Sequence, residues 1–408
     1  MKLNFTDLRA LSSQTLRCLT LLHLFVLLWN ARAARITRSP PRTAVNRYFL
    51  ATTIGGAEGV LSAEIAGLKD AHSIVEAKAQ VFFQGSSATA FEAIMKLRTP
   101  LRILEKVLDA DDIETKEDLH TFVGRQDWSA IISPHQSLKV DATIGETTKD
   151  LSHSHYSALT VKNAIVDQFR SRGSSERPSV DIETPDLPLL LYLHRGRAIL
   201  YRVWSGEDSL HKRGYRQTVH KAALRETSAA ILMALARWKG TEDDILCDPL
   251  CGSGTIAIEA ALIASNCSPG LLRYADRGLK PVPLLWSDLI SDDGADELWN
   301  RVVSEARSLD RRKSMAAASH SSPLIFANDI HAGALQLAQD SAEAAGVSSM
   351  IDFNLGDVAT YRPAQSPGLV VTNPPWELRL DGASAAWTGL GAFCMLNTFS
   401  CSFYSYGF

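Results

Sequence analysis

The feature of this 408-residue sequence that most constrains its fold is a short apolar run that leads into a glycine-rich turn and then into an apolar helix. Residues 245–247 have the composition of a buried parallel strand, and residues 256–264 have that of a buried helix. Between them, Gly252 and Gly254 permit positive φ angles and a close approach of the backbone to a ligand. The pattern predicts a strand, a turn and a helix of an α/β sheet.

The same turn indicates which ligands it suits. It has no Gly-Lys-Ser/Thr and no G-x-G-x-x-G spacing, so it is neither a P-loop nor a dinucleotide fingerprint. Thr255 is well placed to cap the helix, whose N-terminal N–H groups face the turn. The alternative is a tight turn without a ligand, because glycine turns are common between a strand and a helix. We predict that the turn holds a nucleotide-like cofactor through Asp248, Pro249, Cys251, Gly252, Ser253, Gly254 and Thr255.

A second motif lies about 120 residues further along the chain. Residues 368–372 resemble another buried strand, and Asn373-Pro374-Pro375-Trp376 follows at its carboxyl end, where open α/β sheets bind their ligands. The Asn373 side-chain oxygen and the Pro374 carbonyl can both accept hydrogen bonds from one exocyclic amine, which directs its lone pair at a methyl donor. Trp376 offers a surface on which a flipped base stacks. The alternative is a strand that ends in a Pro-Pro loop with a core tryptophan, but the two motifs together predict N-methylation of a nucleobase.

Two acidic residues lie between these motifs, each at the end of an apolar run. Asp329 follows residues 324–328 and is a candidate acceptor for ribose hydroxyl groups, a role that acidic residues have in dinucleotide folds. Asp357 is a candidate acceptor for an adenine amine. An aspartate at a strand end is also a common turn former or helix cap. The order of the four elements along the chain is what favours a cofactor role for both.

Three further segments reveal a family resemblance. They are residues 204–216, which look like a linker into a catalytic domain, residues 157–167, and residues 48–61. With the two motifs above, they make the chain resemble the THUMP-domain RNA methyltransferases from about Arg47 to about Leu380. Within that family it resembles the branch that makes N2-methylguanosine in large-subunit ribosomal RNA.

The resemblance implies an α/β protein with a class I, Rossmann-like methyltransferase domain preceded by ferredoxin-like and THUMP α/β segments. It implies S-adenosylmethionine as the cofactor, ribosomal RNA as the partner, and RNA contacts from Lys162, Arg213, Tyr215 and Arg216. The alternatives are N-methylation of another RNA such as transfer RNA, and a noncatalytic RNA-binding relative. The expected segments are a presequence (1–45), a ferredoxin-like segment (46–105), a THUMP domain (106–204), a methyltransferase domain (205–393) and an atypical tail (394–408).

Composition agrees with this assignment without establishing it. The net charge is −3, so any RNA-binding surface must come from local basic segments and not from the overall charge. The six cysteines form no CxxC pair and no Cys/His metal spacing, so neither a metal site nor a disulfide framework is expected. Cys251 lies inside the cofactor turn, and we interpret it as a small packing residue because amine methylation needs no covalent enzyme intermediate.

The N-terminal 45 residues differ from the rest of the chain. They are strongly basic, with Asp7 as their single acidic residue, and they contain an apolar run over residues 19–29 that is too short to span a membrane. Ala31-Arg32-Ala33 offers a small-x-small cleavage site, followed by a basic stretch typical of transit peptides. We expect an organellar presequence, most simply for a chloroplast, and no membrane span in the mature chain. The alternative is a cytoplasmic protein whose first residues are not translated.

The carboxyl end departs from the family pattern. A class I methyltransferase sheet needs three more strands after the Asn-Pro-Pro-Trp turn, and about 32 residues remain. A helix is expected over residues 381–393, but the tail shows no further succession of strands and helices. The sequence therefore predicts an incomplete catalytic sheet in which the strand ending at Thr372 is a bare edge.

Overall fold

The computed structural model describes residues 46–173, 176–216, 223–241, 244–292, 294–318, 323–375, 383–396 and 403–404. The predicted presequence, Trp376 and most of the predicted tail lie outside these residues. The strands are β1 (Arg47–Thr52), β2 (His72–Ala77), β3 (Gln80–Gly85), β4 (Arg102–Ala110), β5 (Ser137–Ile144), β6 (Ser179–Val180), β7 (Leu187–His194), β8 (Arg197–Val203), β9 (Leu246–Asp248), β10 (Ile325–Asp329), β11 (Ile351–Leu355), β12 (Leu369–Val371) and β13 (Phe403–Tyr404). The α-helices are α1 (Glu58–Ala66), α2 (Ser87–Lys96), α3 (Lys116–Gly124), α4 (Ser154–Ser171), α5 (Glu226–Leu235), α6 (Thr255–Ala264), α7 (Pro269–Arg273), α8 (Ser287–Asp292), α9 (Ala295–Leu309), α10 (Arg312–Ala318), α11 (Ala332–Ala345) and α12 (Ala383–Leu396).

The first segment has the β-α-β-β-α-β order of a ferredoxin-like unit. Its four strands pair antiparallel in the order β2-β3-β1-β4. Side chains alternate along β1, so Phe49 and Ala51 enter the main core while Tyr48 points to the opposite face and is half exposed. The fold therefore leaves one face of this sheet partly open to solvent.

The ferredoxin-like and THUMP segments share one sheet. β4 pairs with β8 along most of its length, which gives a continuous eight-stranded sheet in the order β2-β3-β1-β4-β8-β7-β5-β6. The boundary expected near residue 105 falls inside β4. β7 and β8 form a hairpin, and its two-residue turn, Arg195-Gly196, has the two positive φ angles, 49° and 75°, that such tight turns require.

The catalytic segment is built on a parallel sheet with the order β11-β10-β9-β12-β13. The glycine-turn strand, β9, lies at its centre between β10 and β12. Helices follow β9 and β10, and the first of them was predicted from the apolar pattern. The carboxyl ends of β9, β10 and β12 consequently meet at one edge, and the expected α/β class with a Rossmann-like sheet is confirmed.

The prediction that the strand ending at Thr372 is a bare edge is wrong. β12 pairs in parallel with β13, with Val370 opposite Phe403 and Val371 opposite Tyr404. The reason is that α12 supplies the crossover that a parallel partner needs. Its Phe393 is fully buried and its ring stacks on Tyr361 with centroids 6.1 Å apart, which fixes the helix against the sheet.

The segment between α6 and β10 docks onto the ferredoxin-like unit. Gly270 of α7 lies so close to α2 that a Cβ atom there would be 2.6 Å from the Cα of Met95. Glu305 of α9 accepts a hydrogen bond from Lys96 at 3.0 Å. Arg202 of β8 donates to both carboxylate oxygens of Asp288 at 2.9 Å. Close packing and ion pairs therefore join the N-terminal sheet to the catalytic segment.

Within the described part of the chain, one bent pair of helices has the length and composition of a membrane span. Among the described residues no single helix has both the length and the apolar character to cross a membrane. Thr255–Ala264 and Pro269–Arg277, which are bent by 115° relative to each other, are together long and apolar enough, by length and composition alone. The first of these is α6, most of whose residues are buried in the catalytic core.

Candidate active site

The glycine turn lies at the carboxyl end of β9, where the sequence predicted it. Gly252 and Gly254 have φ angles of 55° and 75°, and a Cβ atom on Gly254 would lie 2.7 Å from the Cβ of Ala338. Gly254 is the N-cap of α6, and no side chain caps the helix from that position. The first N–H groups of α6 therefore face the turn without a side-chain cap, which suits a ligand with acceptor or anionic groups.

Asp329 holds the glycine turn from the neighbouring strand. Its Oδ2 accepts a hydrogen bond from the Gly252 N–H at 2.8 Å, and its Oδ1 accepts one from the His331 N–H at 2.9 Å. A carboxylate has about four acceptor positions. Each oxygen of Asp329 thus retains one for the hydroxyl groups of a ribose, and the predicted cofactor role fits this geometry.

Asp248 links the glycine turn to the second motif. Its Oδ1 accepts a hydrogen bond from the Thr372 hydroxyl at 2.7 Å and a longer one, 3.4 Å, from the Leu250 N–H. The side chain is buried, and that burial raises its pKa from 3.8 to about 7, although the hydrogen bond from Thr372 opposes the rise. Through the bond to Thr372, Asp248 positions the start of the second turn, and its predicted contact with the cofactor stays a prediction.

The Asn373-Pro374-Pro375 turn lies directly after this link. β12 and β9 are paired, with Leu369 opposite Leu246, so both turns leave the same edge of the sheet. Pro374 is buried, whereas Asn373 and Pro375 are partly exposed. The Asn373 amide has no hydrogen-bonding partner within the part of the chain that the structure describes. Its oxygen is thus available to an amine donor, and the stacking role predicted for Trp376 lies outside the described residues.

Asp357 forms a turn. Its Oδ1 accepts a hydrogen bond from the Ala359 N–H at 2.9 Å, and its main-chain carbonyl accepts from the N–H groups of Thr360 and Tyr361. The side chain is exposed. The turn-former alternative is therefore realised, and an adenine amine would share the carboxylate with this turn.

Two residues that hold the site together were not identified from the sequence. Fully buried Asn328 donates to the carbonyls of Pro249 at 3.0 Å and Gly356 at 3.1 Å, which ties three strand ends together. Thr372 carries the hydrogen bond to Asp248. The available signal was their position, since each is a polar residue that ends an apolar run.

Cys251 has the packing role expected of it. Its side chain is buried, and burial, with a smaller contribution from the carboxylates of Asp248 and Asp329, holds the pKa of its thiol well above the usual range. A thiol in that state is a poor nucleophile.

The RNA contacts predicted for Arg213, Tyr215 and Arg216 are contradicted by their burial. Arg213 and Tyr215 are at most 2% exposed, and both contact Glu259 of α6. The Arg216 side chain is 6% exposed. The reason is that α5 and α6, which look apolar in the sequence, carry buried glutamates that pair with these cations. Lys162 of α4 is partly exposed, and its predicted RNA contact stays a prediction.

Three sequence families match consecutive parts of the chain. Residues 48–104 match the RlmL ferredoxin-like domain, residues 114–203 the THUMP domain, and residues 213–392 the RMKL-like methyltransferase domain. The ribosomal RNA large subunit methyltransferase K/L of Syntrophotalea carbinolica is 36% identical over 352 residues. That match covers 84% of this chain and 46% of the relative, so the chain spans about half the length of this curated relative.

Solved structures share the whole architecture. A predicted N6-adenine-specific DNA methylase from Listeria monocytogenes str. 4b F2365 is 26% identical with a TM-score of 0.74, over 88% of each chain. SMU.472, a putative methyltransferase solved with SAH, is 23% identical with a TM-score of 0.72, over 89% of this chain and 90% of that one, and it shows the fold alone. The chain thus has, in this order, a ferredoxin-like domain, a THUMP domain and a Rossmann-like methyltransferase domain, and the last of these matches the RMKL-like family over residues 213–392.

Proposed function

We propose that this protein transfers a methyl group from S-adenosylmethionine to the N2 amine of a guanine in large-subunit ribosomal RNA. The observation that carries the proposal is the hydrogen bond of 2.7 Å between Thr372 and Asp248. It joins the glycine turn that suits the cofactor to the Asn373-Pro374 turn that suits an amine. A methyl donor and a methyl acceptor bound at these turns would lie side by side at one edge of the sheet.

The glycine turn fits S-adenosylmethionine through its own residues. Gly252 and Gly254 allow the backbone to approach the methionine part, the N–H groups of α6 face that part, and Asp329 retains acceptor positions for the ribose. When bound, the cofactor supplies an activated methyl group. The protein's contribution is then mainly position and polarity. The SAH named with SMU.472 is chemically consistent with this choice.

The second turn fits an exocyclic amine. The Asn373 oxygen and the Pro374 carbonyl would accept the two hydrogen atoms of the amine and direct its lone pair at the methyl group. Pro374 and Pro375 have no N–H group, so neither offers a donor that competes for these acceptors. We extend the proposal to Trp376 as the surface on which the flipped guanine stacks.

An RNA partner is supported by the THUMP domain and by the name of the Syntrophotalea carbinolica relative. The open face of the eight-stranded sheet adds a physical argument. Tyr48 of β1 and Phe82 of β3 are exposed on this face, and the Lys106 ammonium lies 5.0 Å from the centroid of the Tyr48 ring. Aromatic side chains on neighbouring strands of an open sheet are surfaces on which unpaired bases stack. We propose that this face and Lys162 contact the RNA.

The test is methyl transfer by the full chain. Labelled S-adenosylmethionine is offered with ribosomal RNA, transfer RNA, DNA and protein in parallel, and the modified nucleoside is identified after digestion. Label recovered as N2-methylguanosine from ribosomal RNA supports the proposal. Label in transfer RNA, or as N6-methyladenine in DNA, would contradict ribosomal RNA as the substrate and identify that nucleic acid in its place. Cofactor binding without transfer to any substrate would favour a noncatalytic RNA-binding protein.

The role of Asn373 is tested by Asn373→Ala. We expect transfer to fall at least about 100-fold, as for the loss of one positioned polar group in an active site, with cofactor affinity unchanged. Asn300→Ala, an exposed asparagine on α9, is the matched control. Loss of cofactor binding together with transfer would contradict a role confined to the amine.

We also propose that residues 1–45 direct the protein to a chloroplast. The proposal rests on their basic composition and on the small-x-small site at residues 31–33. A fluorescent fusion of the full chain should enter the organelle, whereas a fusion that begins at residue 46 should stay in the cytoplasm. Equal distribution of the two fusions would contradict a targeting role.

A further inference from the structure

Arg216 lies beside the N-termini of two helices of the catalytic segment, α5 and α6. α6 begins at Thr255, and α5 begins at Glu226, two residues after Leu224. The Arg216 Nη2 contacts the Thr255 hydroxyl and donates to the Leu224 carbonyl at 3.0 Å. The Thr255 hydroxyl donates to the same carbonyl at 3.4 Å. The Arg216 guanidinium therefore lies between two helix N-termini, directly beside the cofactor turn.

This position carries an excess of positive charge. The N-terminus of a helix behaves like about half a positive charge, and two such termini meet here. Burial and the surrounding cations also lower the pKa of the nearby His211 to about 4. Those cations are Arg225, Arg213, Lys212 and Arg216.

The hydrogen bonding of Arg216 and its neighbours is incomplete. Glu226 is the carboxylate beside Arg216, with 3.7 Å between its Oε1 and the Arg216 Nε, and burial raises the pKa of Glu226. The Arg216 Nε, the Glu226 Oε2 and the hydroxyl of fully buried Thr227 have no hydrogen-bonding partner within the described part of the chain. A buried guanidinium with an unused donor is costly unless an anion completes its surroundings.

We propose that Arg216, together with the uncapped N-terminus of α6, binds the α-carboxylate of the cofactor's methionine part. The inference rests on the proposed S-adenosylmethionine site and names its anion anchor. The residue next to Gly254 is Thr255, which Arg216 contacts, so an anchor here belongs to the cofactor turn. An RNA phosphate is the less suitable ligand because the side chain is only 6% exposed. Arginine is suited to this role because its guanidinium donates in a fork that matches a carboxylate.

The test compares two ligands that differ in one group. Calorimetric titration of the full chain uses S-adenosylhomocysteine and S-adenosyl-3-thiopropylamine, which lacks only the α-carboxylate. The wild-type protein should bind the first about 10-fold to 100-fold more tightly, as expected for a hydrogen bond between charged groups. Arg216→Gln should reduce this preference to less than about threefold, mainly by weakening S-adenosylhomocysteine. Arg216→Lys should keep an intermediate preference, because lysine retains the charge but not the fork.

The control uses the same substitution three residues away. Arg213→Gln removes a buried arginine of the same linker whose Nε lies 3.6 Å from Glu259 and not at the α6 N-terminus. A merely structural effect weakens both ligands equally, so Arg213→Gln should leave the preference at its wild-type value.

Three results would overturn the inference. They are a wild-type protein that binds both ligands equally, an Arg216→Gln variant that keeps the full preference, and an Arg213→Gln variant that loses it. Failure of the wild-type protein to bind either ligand would instead refute the proposed cofactor, and with it the function. If Arg216→Gln does not fold, as judged by circular dichroism, Arg216→Lys alone decides between a reduced and an unchanged preference.

Discussion

The buried carboxyl group of Asp248 makes the stability of the catalytic domain depend on pH. Its pKa is about 7 in the folded protein, against an ordinary value of 3.8, because it is buried and receives few hydrogen bonds. Between these pH values the folded state keeps a proton that the unfolded state releases, so stability falls as the pH rises. The difference corresponds to about 4 kcal/mol, at about 1.4 kcal/mol for each tenfold change in proton affinity. The loss should be complete slightly above pH 7.

Asp248→Asn should remove this dependence. An asparagine has nearly the same shape and can still accept the hydrogen bond from Thr372, but it does not ionise. The free energy of unfolding is measured for both proteins by urea titration between pH 4 and pH 8. We expect the variant to gain about 4 kcal/mol relative to the wild-type protein as the pH rises through this range. Comparing the two proteins cancels other groups, such as Glu64, whose pKa is also raised by burial.

The control is Asp352→Asn on β11, where the aspartate is exposed. That substitution should change the difference from wild type by less than about 0.5 kcal/mol over the same range, as surface substitutions usually do. A difference between Asp248→Asn and wild type that stays constant from pH 4 to pH 8 would refute the reasoning. It would mean that water or local motion reaches the Asp248 carboxyl group and restores its ordinary pKa.

Three further predictions address the cofactor, the RNA and the domain junction. Asp329→Asn should weaken S-adenosylhomocysteine binding about 10-fold or more in calorimetry, since it removes a charged acceptor from the glycine turn; unchanged affinity would contradict the ribose role. Tyr48→Ala combined with Phe82→Ala should weaken binding of unpaired RNA by about 1–3 kcal/mol per stacked base, with cofactor affinity unchanged, in a fluorescence anisotropy titration. Gly270→Ala should cost about 1–3 kcal/mol of stability, because the added methyl group meets the backbone of α2. Gly333→Ala, a helical glycine with open space around it, should not be destabilising, and an equal loss in both would refute the packing argument.

The sequence was sufficient for those parts of the site that are local. The strand, turn and helix around Gly252 follow from a composition that changes within about ten residues, and Gly254 has the left-handed conformation that its residue type permits. The Asn373-Pro374 turn was predicted in the same way, because two prolines restrict the chain wherever it folds. These features depend on neighbours in the chain and were predictable for that reason.

The sequence was insufficient where distant segments meet. Pairing of β9 with β12 joins residues 123 positions apart, and the hydrogen bond from Thr372 to Asp248 joins residues 124 positions apart, so no local pattern encodes their register. The same limit explains the error about Arg213 and Arg216. Charged residues near the end of a domain are usually exposed. Here both are buried, because Glu259 and Glu226 lie on helices whose apolar composition hides these partners.

The joined sheet changes how substrate choice is best understood. Arg202 of β8 donates hydrogen bonds to the carboxylates of Glu105 on β4 and Asp288 on α8. The THUMP strands, the ferredoxin-like strands and the catalytic segment therefore share one buried charge network. Removing one partner from such a network costs about 3–5 kcal/mol, so the three parts resist separation. The open sheet face at Tyr48 and the turn at Asn373 consequently keep their separation. On the proposed function, an RNA that stacks on the first would present to the second only a base at a matching distance, and the choice of target would then depend on RNA shape as much as on sequence.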